Sequence, residues 1–283
     1  MYQSTVRKTL LSLIFIVITV IILLPYILKN LGLHPDYEGN TFDLSGKKAL
    51  IIATSHGVLN YPGESSGKPS GLASSELTAP YLEFIDANIS VDIASIKGGE
   101  IPVDPQTTSY FVRSSSDKRF YKDAEAVDKL NNSININEID FSVYDIVFLA
   151  GGWGAAYDLG FSDTLAAGIS KAYYAGSIIG AICHGPLGLI NSKDKNGNIL
   201  IAGRKMTGVT DKQVKELNIT MTPLHPEEEL KKAGALFEAK TKFLDQFAYH
   251  VVVDDEKRFV TGQNQNSGHE TAQRIMEIIE ESS

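Results

Sequence analysis

Residues 9–28 carry no charged side chain, and the run LLSLIFIVITVIILLPYIL within them is apolar on every face of a helix. About 20 such residues, rising roughly 1.5 Å each, cross a hydrocarbon core of roughly 30 Å. Past a polar stretch holding Gly32, Pro35 and Gly39, the pattern changes to short apolar runs separated by longer amphipathic ones. Residues 48–54 (KALIIAT) form a continuous apolar run closed by Ser55-His56-Gly57, which suits a strand buried on both faces of a parallel sheet. Residues 89–95 (ISVDIAS), 144–150 (YDIVFLA) and 177–182 (SIIGAI) predict further strands, and 249–254 and 258–261 predict two more near the C-terminus. Helices are expected at 75–87, where Pro80 is tolerable only in the first turn, and at 162–174, capped by Ser162 with Gly176 past its end. Others are expected to start at 185–190 and to cover 226–238 and 268–281, while residues 61–75 (YPGESSGKPSGLASS) form a loop by composition.

Strands spaced by helices imply right-handed crossovers and an α/β fold: a doubly wound, mostly parallel sheet with helices on both faces. Such sheets bind ligands at the carboxyl ends of their strands, which places the 61–75 loop beside the site. The expected organisation is a tail and membrane anchor over residues 1–30, a linker over 31–46 and one domain over 47–283. Arg7 and Lys8 precede the apolar run, and Lys29, Asp36 and Glu38 follow it. This flank asymmetry favours a single-pass protein with its domain extracytoplasmic. A cleaved signal peptide is the alternative, but the run exceeds a usual signal core and no small-x-small site follows.

Composition narrows the chemistry. The formal net charge of −8 disfavours a nucleic-acid partner, which would want a basic face. One cysteine excludes an intrachain disulfide and a multi-cysteine zinc site. His225, His250 and His269 lack a Cys or carboxylate at ligand spacing, so no metal is expected. Gly151-Gly-x-Gly154 follows the third strand without the full dinucleotide spacing, so no cofactor is expected either. His56, at the end of the first strand, reads as a hydrogen-bonded turn residue.

The lone thiol stands out by its setting. In Ser177-Ile-Ile-Gly-Ala-Ile-Cys-His-Gly-Pro-Leu-Gly188, an apolar strand ends at Cys183, with Ala181 two residues before and Gly185 two after. That is the layout of a nucleophile elbow, where close strand–helix approach demands small residues and strain is expected at the nucleophile. Its sulfur would face the start of the following helix, whose partial positive charge lowers a thiol pKa, with His184 as proton shuttle or ion-pair partner.

With these segments in order, the chain from about residue 47 onward resembles the ThiJ/PfpI family, in the class I glutamine amidotransferase-like superfamily of flavodoxin-like folds. Ala181-Ile-Cys-His-Gly185 matches the family elbow. Val91-Asp-Ile-Ala-Ser95 with Gly98-Gly99, Ala150-Gly-Gly-Trp-Gly154, Val251-Val-Val-Asp254 and Val260-Thr-Gly-Gln-Asn264 match segments of its chaperone and glyoxalase III-like branch. The resemblance implies that Glu76 hydrogen-bonds the sulfur, that Gly151, Gly152 and Trp153 form the substrate loop, and that the N–H groups of Gly152 and His184 serve as oxyanion donors. It also implies a possible homodimer. Two positions depart from the pattern: Trp153 stands where the branch has histidine, and the acid that would orient the histidine falls near Val214, leaving Asp211 or Glu216 as substitutes.

The expected function is a membrane-anchored, cofactor-free cysteine enzyme acting on a small aldehyde or acyl substrate, either glyoxalase III-like or a related hydrolase. The alternatives are a chaperone-like or redox-sensing domain that does not catalyse, and a sensor in which the apolar helix is the working part.

Overall fold

The computed structural model describes residues 2–282. Helix α1 (Tyr2–Leu31) is followed by a seven-stranded sheet made of β1 (Lys48–Ala53), β2 (Ser90–Ser95), β3 (Ile134–Asn135), β4 (Ile146–Leu149), β5 (Ile178–Ile182), β6 (Val251–Val253) and β7 (Phe259–Gly262). Across the sheet the order is β6-β7-β5-β4-β1-β2-β3, with every pairing parallel except the terminal hairpin β6–β7. The expected flavodoxin-like α/β architecture is therefore present.

The period-2 geometry of β1 divides the core. Ala49, Ile51 and Ala53 face one cluster, which takes in Leu77, Tyr81 and Phe84 of α2 (Ser74–Asp86) and Ile275, Met276 and Ile279 of the closing helix Gly268–Glu281. Leu50 and Ile52 face the other, against Leu165, Ile169 and Ala172 of α3 (Asp163–Ala175). Ser162 caps α3 by accepting from Leu165 N–H, and Gly176, at φ +105°, closes it, both as expected. The topological switch lies between β1 and β4, so the loops after β1, β4 and β5 converge there.

Several expectations need correction. Helix α2 starts at Ser74, so Pro80 lies in its interior rather than its first turn and removes the N–H that would bond Glu76 O. The segment after Cys183 is a short 3₁₀ turn, Gly185–Leu189, because Pro186 and two glycines sustain no longer helix. The 226–238 helix stops at Lys232; Gly234, at φ +87°, turns the chain, and Leu236–Phe237 then pairs with Lys205–Met206. The 61–75 segment is not all loop: Lys68–Pro69 within it pairs antiparallel with Val58–Leu59, and Ser74 and Ser75 open α2. Residues 33–46 lie along the domain: Phe42 and Leu44 are buried, and Asn40 N–H donates to Gln273 Oε1 at 3.0 Å. Helix α1 is long and apolar enough to cross a membrane over Arg7–Leu31, with none of its apolar window buried by the rest of the chain.

Candidate active site

Cys183 terminates β5 with φ +60°, a left-handed conformation that a side chain rarely adopts and that marks the elbow. The small neighbours are required. A Cβ on Gly185 would stand 2.1 Å from Leu149 O, and Ala181 is fully buried between strands. The strain aims Sγ into a cavity of about 190 Å³ that is also lined by Glu76, Gly152, Trp153 and His184. All the residues expected in the first rank of the site thus meet at the switch point, because α2 supplies Glu76, the loop after β4 supplies the glycines and Trp153, and the elbow supplies the rest.

The electrostatics differ from the expectation. Burial pushes Glu76 up to about 8, although the thiol and the backbone N–H groups of Gly151 and Gly152 pull it the other way. The carboxyl is therefore mainly protonated at neutrality, and its buried Oε2 lacks a partner. Burial also pushes the Cys183 thiol up, and the charge of Glu76 adds to this, while the N–H groups of Gly152 and His184 pull it down. A short 3₁₀ turn carries too few aligned peptides to reverse this, so the expected lowering of the thiol pKa does not hold at rest. Protonation of Glu76 removes its charge, leaving a carboxyl O–H that can donate to sulfur. The two groups act as a coupled pair rather than as independent acids.

His184 Nδ1 lies 3.4 Å from Cys183 Sγ. Burial, and then the neighbouring His225, hold its pKa down to about 3. It is thus a neutral acceptor or shuttle, and an imidazolium–thiolate pair is not formed at rest. We predict that the His184 ring shows no titration between about pH 5 and 9 by NMR; a transition near 6.5 would contradict the buried neutral ring. Its Nε2 is buried without a partner. Val214 is buried, as an apolar replacement for the orienting acid would be, and neither Asp211 nor Glu216 reaches the ring. Asp211 opens the helix Asp211–Glu216, its N–H donating to Glu227 Oε2, while Glu216 Oε2 accepts from Asp245 N–H at 2.8 Å. Trp153 packs its ring 4.7 Å from that of His184 and walls the cavity with apolar surface.

The glycine loop is sterically fixed. A Cβ on Gly151 would sit 2.4 Å from Glu76 Oε2 and 2.7 Å from His184 N, so Gly151→Ala must displace the carboxyl or the elbow. The expected result is a fall of about 10²-fold in turnover, the scale of a roughly 1 Å misplacement; unchanged kinetics would show that the loop tolerates the methyl group. Gly152, at φ +92°, has no room either, since its Cβ would lie 2.3 Å from Ala73 N. His56 is a turn residue, with Nε2 2.5 Å from Val58 O and its ring stacked on Tyr157 at 4.1 Å.

Sequence reading missed the outer wall. Leu33, His34, Gln106 and Thr107 line the cavity, and no local motif marks them because they arrive from the 33–46 strap and the loop after β2.

The DJ-1/PfpI family model matches residues 69–278. A probable glutathione-independent glyoxalase of Schizosaccharomyces pombe is 32% identical over 180 residues, covering 62% of this chain and 80% of the relative. A rapid encystment protein of Francisella tularensis superposes with a TM-score of 0.74 at 32% identity, covering 82% of this chain and 98% of that one. Glyoxalase III of Candida albicans superposes with a TM-score of 0.70 at 26% identity, covering 82% and 96%. Nucleophile elbow, buried carboxyl, sheet order and family match agree, and the chain belongs to the DJ-1/PfpI family.

Proposed function

We propose that the protein is a glutathione-independent glyoxalase, converting a 2-oxoaldehyde such as methylglyoxal and water into the 2-hydroxy acid. The observation that carries this reading is the convergence of a strained Cys183, a buried Glu76 held protonated to about 8 and a neutral His184 in one small cavity. The names of the relatives from Schizosaccharomyces pombe and Candida albicans support it.

The thiol gives its proton to His184 Nδ1 as sulfur bonds the aldehyde carbon, and the proton passes to the aldehyde oxygen to give a hemithioacetal. The N–H groups of Gly152 and His184, which already face the sulfur, are placed to bear charge on that oxygen. Neutral His184 then takes the C1 proton while protonated Glu76 donates to the C2 oxygen, giving an enediol; His184 returns its proton to C2 and Glu76 recovers one from the C1 hydroxyl, leaving a thioester. Water hydrolyses it and restores the thiol. C1 is oxidised and C2 reduced within the substrate, so no external electron carrier enters.

The missing orienting acid is compatible with this scheme because burial and the Trp153 ring already hold the imidazole neutral and in place. We further infer that α1 anchors the protein in a membrane, on the strength of its length and unburied apolar surface. The direct test is 2-hydroxy acid formation from methylglyoxal without added glutathione; absence of product from the folded full-length chain would end the glyoxalase reading.

A further inference from the structure

Helix α1 ends beside the catalytic cavity. Gly32, at φ +111°, closes it in a Schellman arrangement, with Gly32 N–H donating to Lys29 O at 2.9 Å and Leu33 N–H to Leu28 O at 3.0 Å. The chain then turns directly onto the domain. His34 is held on two sides, its N–H donating to Asn266 Oδ1 at 2.8 Å and its ring Nε2 lying 2.9 Å from Val112 O. Leu33 and His34 thereby belong to the wall of the cavity that contains Cys183.

A second cavity, of about 280 Å³, adjoins the first and shares Leu33, His34 and Val112 with it. Its remaining walls combine Pro25 and Tyr26 of α1 and the domain residues Tyr110 and Phe111 with the cations Lys29, Arg113 and Lys118. The two cavities thus abut at Leu33, His34 and Val112, one lying against the last turns of the apolar helix and the other at the sulfur. Tyr110 and Phe111 are exposed and pack edge to face, with centroids 5.5 Å apart. Arg113 Nε is buried there without a partner. On the other side of the helix exit, Lys242 Nζ stands 3.1 Å from where a Cβ on Gly32 would lie, and the adjoining Phe243 is 94% exposed. Exposed aromatic rings and cations gathered at the end of an apolar span match the headgroup level of a bilayer.

We propose that these two adjoining cavities together form a cleft that admits membrane-borne substrate: a 2-oxoaldehyde carried on an acyl chain, with the tail along α1, Tyr110 and Phe111 and the carbonyl head at Cys183. The proposal rests on the glyoxalase and anchor readings and names the substrate class. The chemistry at the head is unchanged, water adding as the aldehyde carbon becomes carboxylate and the ketone becomes hydroxyl, while the tail is a spectator. A helix that merely tethered the domain would need neither the pinned strap nor a cavity on its own side abutting the catalytic one.

The test uses the full-length protein in phosphatidylcholine vesicles, comparing methylglyoxal with a 12-carbon 2-oxoaldehyde. In the double variant Tyr110→Ser, Phe111→Ser, both sites being exposed, kcat/KM for methylglyoxal should hold within about twofold while that for the long aldehyde falls at least about tenfold. Equal loss on both substrates, no loss on either, or no turnover of the long aldehyde by the unaltered protein overturns the proposal. A readout independent of turnover is available, because Trp153 is the single tryptophan of the chain and lines the catalytic cavity. A stearate carrying a nitroxide near its head should quench Trp153 in the unaltered protein and quench it markedly less in the double variant. Equal quenching in both, or none, counts against the cleft even if methylglyoxal itself proves not to be a substrate.

Discussion

Cys183→Ala is expected to lower methylglyoxal turnover by at least about 10³-fold, because it removes the atom that forms the covalent intermediate and no other nucleophile can replace it. Among the described residues this is the one thiol, and the side chains around it offer an imidazole held neutral and a carboxyl held protonated. The protonated carboxyl is not a nucleophile, and the imidazole is the group the sulfur uses as its proton acceptor. The fold should survive, since alanine fits the space and the strain at φ +60° belongs to the backbone that both residues share. Initial rates of 2-hydroxy acid formation, with a thermal melt on the same samples, give the comparison. Equal rates in the two proteins would remove cysteine catalysis and leave a binding role for the cavity.

Much of this site could be read from the chain because its parts are local. The apolar run ending at Cys183, with Ala181 and Gly185 beside it, reports an elbow through sterics alone, and the 2.1 Å approach of a Gly185 Cβ to Leu149 O shows why. The closing helix Gly268–Glu281 likewise follows from periodicity, and α3 from periodicity and its caps. What failed was non-local. The thiol pKa was expected to fall on the strength of a following helix, yet burial by residues far apart in sequence pushes it up. Pro80 was confined to a first turn, but tertiary packing of α2 tolerates its lost hydrogen bond. Residues 33–46 look like a polar linker because their anchoring uses backbone groups and single side chains, as in His34 with Asn266 and Asn40 with Gln273, which leave no periodic trace. Asp117, fully buried and accepting from Ser74 and Thr78 hydroxyls at 2.6 and 2.8 Å, went unremarked although its capping box with Ser114 is legible.

Glu76→Gln should make the protein less active and, at alkaline pH, more stable. The native carboxyl titrates near 8 against an ordinary value of 4.5 for the unfolded chain, with burial as the leading cause. Between those limits the unfolded state has released a proton that the native state still holds, so stability contributed by this group is complete below about pH 4.5 and is lost as pH rises through about 8. At roughly 1.4 kcal/mol per pH unit of difference, the loss reaches the order of a few kcal/mol, of which glutamine, having no charge to desolvate, is relieved. Catalysis moves oppositely. Glutamine can still donate to sulfur but cannot take up and return a proton, and loss of such a group typically lowers turnover by about 10² to 10⁴-fold. The alkaline fall of kcat/KM that the unaltered enzyme should show near 8 should vanish with it. Thermal melts at pH 5 and pH 8 separate the two effects: a rise in Tm confined to pH 8 is expected. A Tm lowered equally at both would mean that hydrogen bonds to the native carboxyl outweigh the cost of its burial.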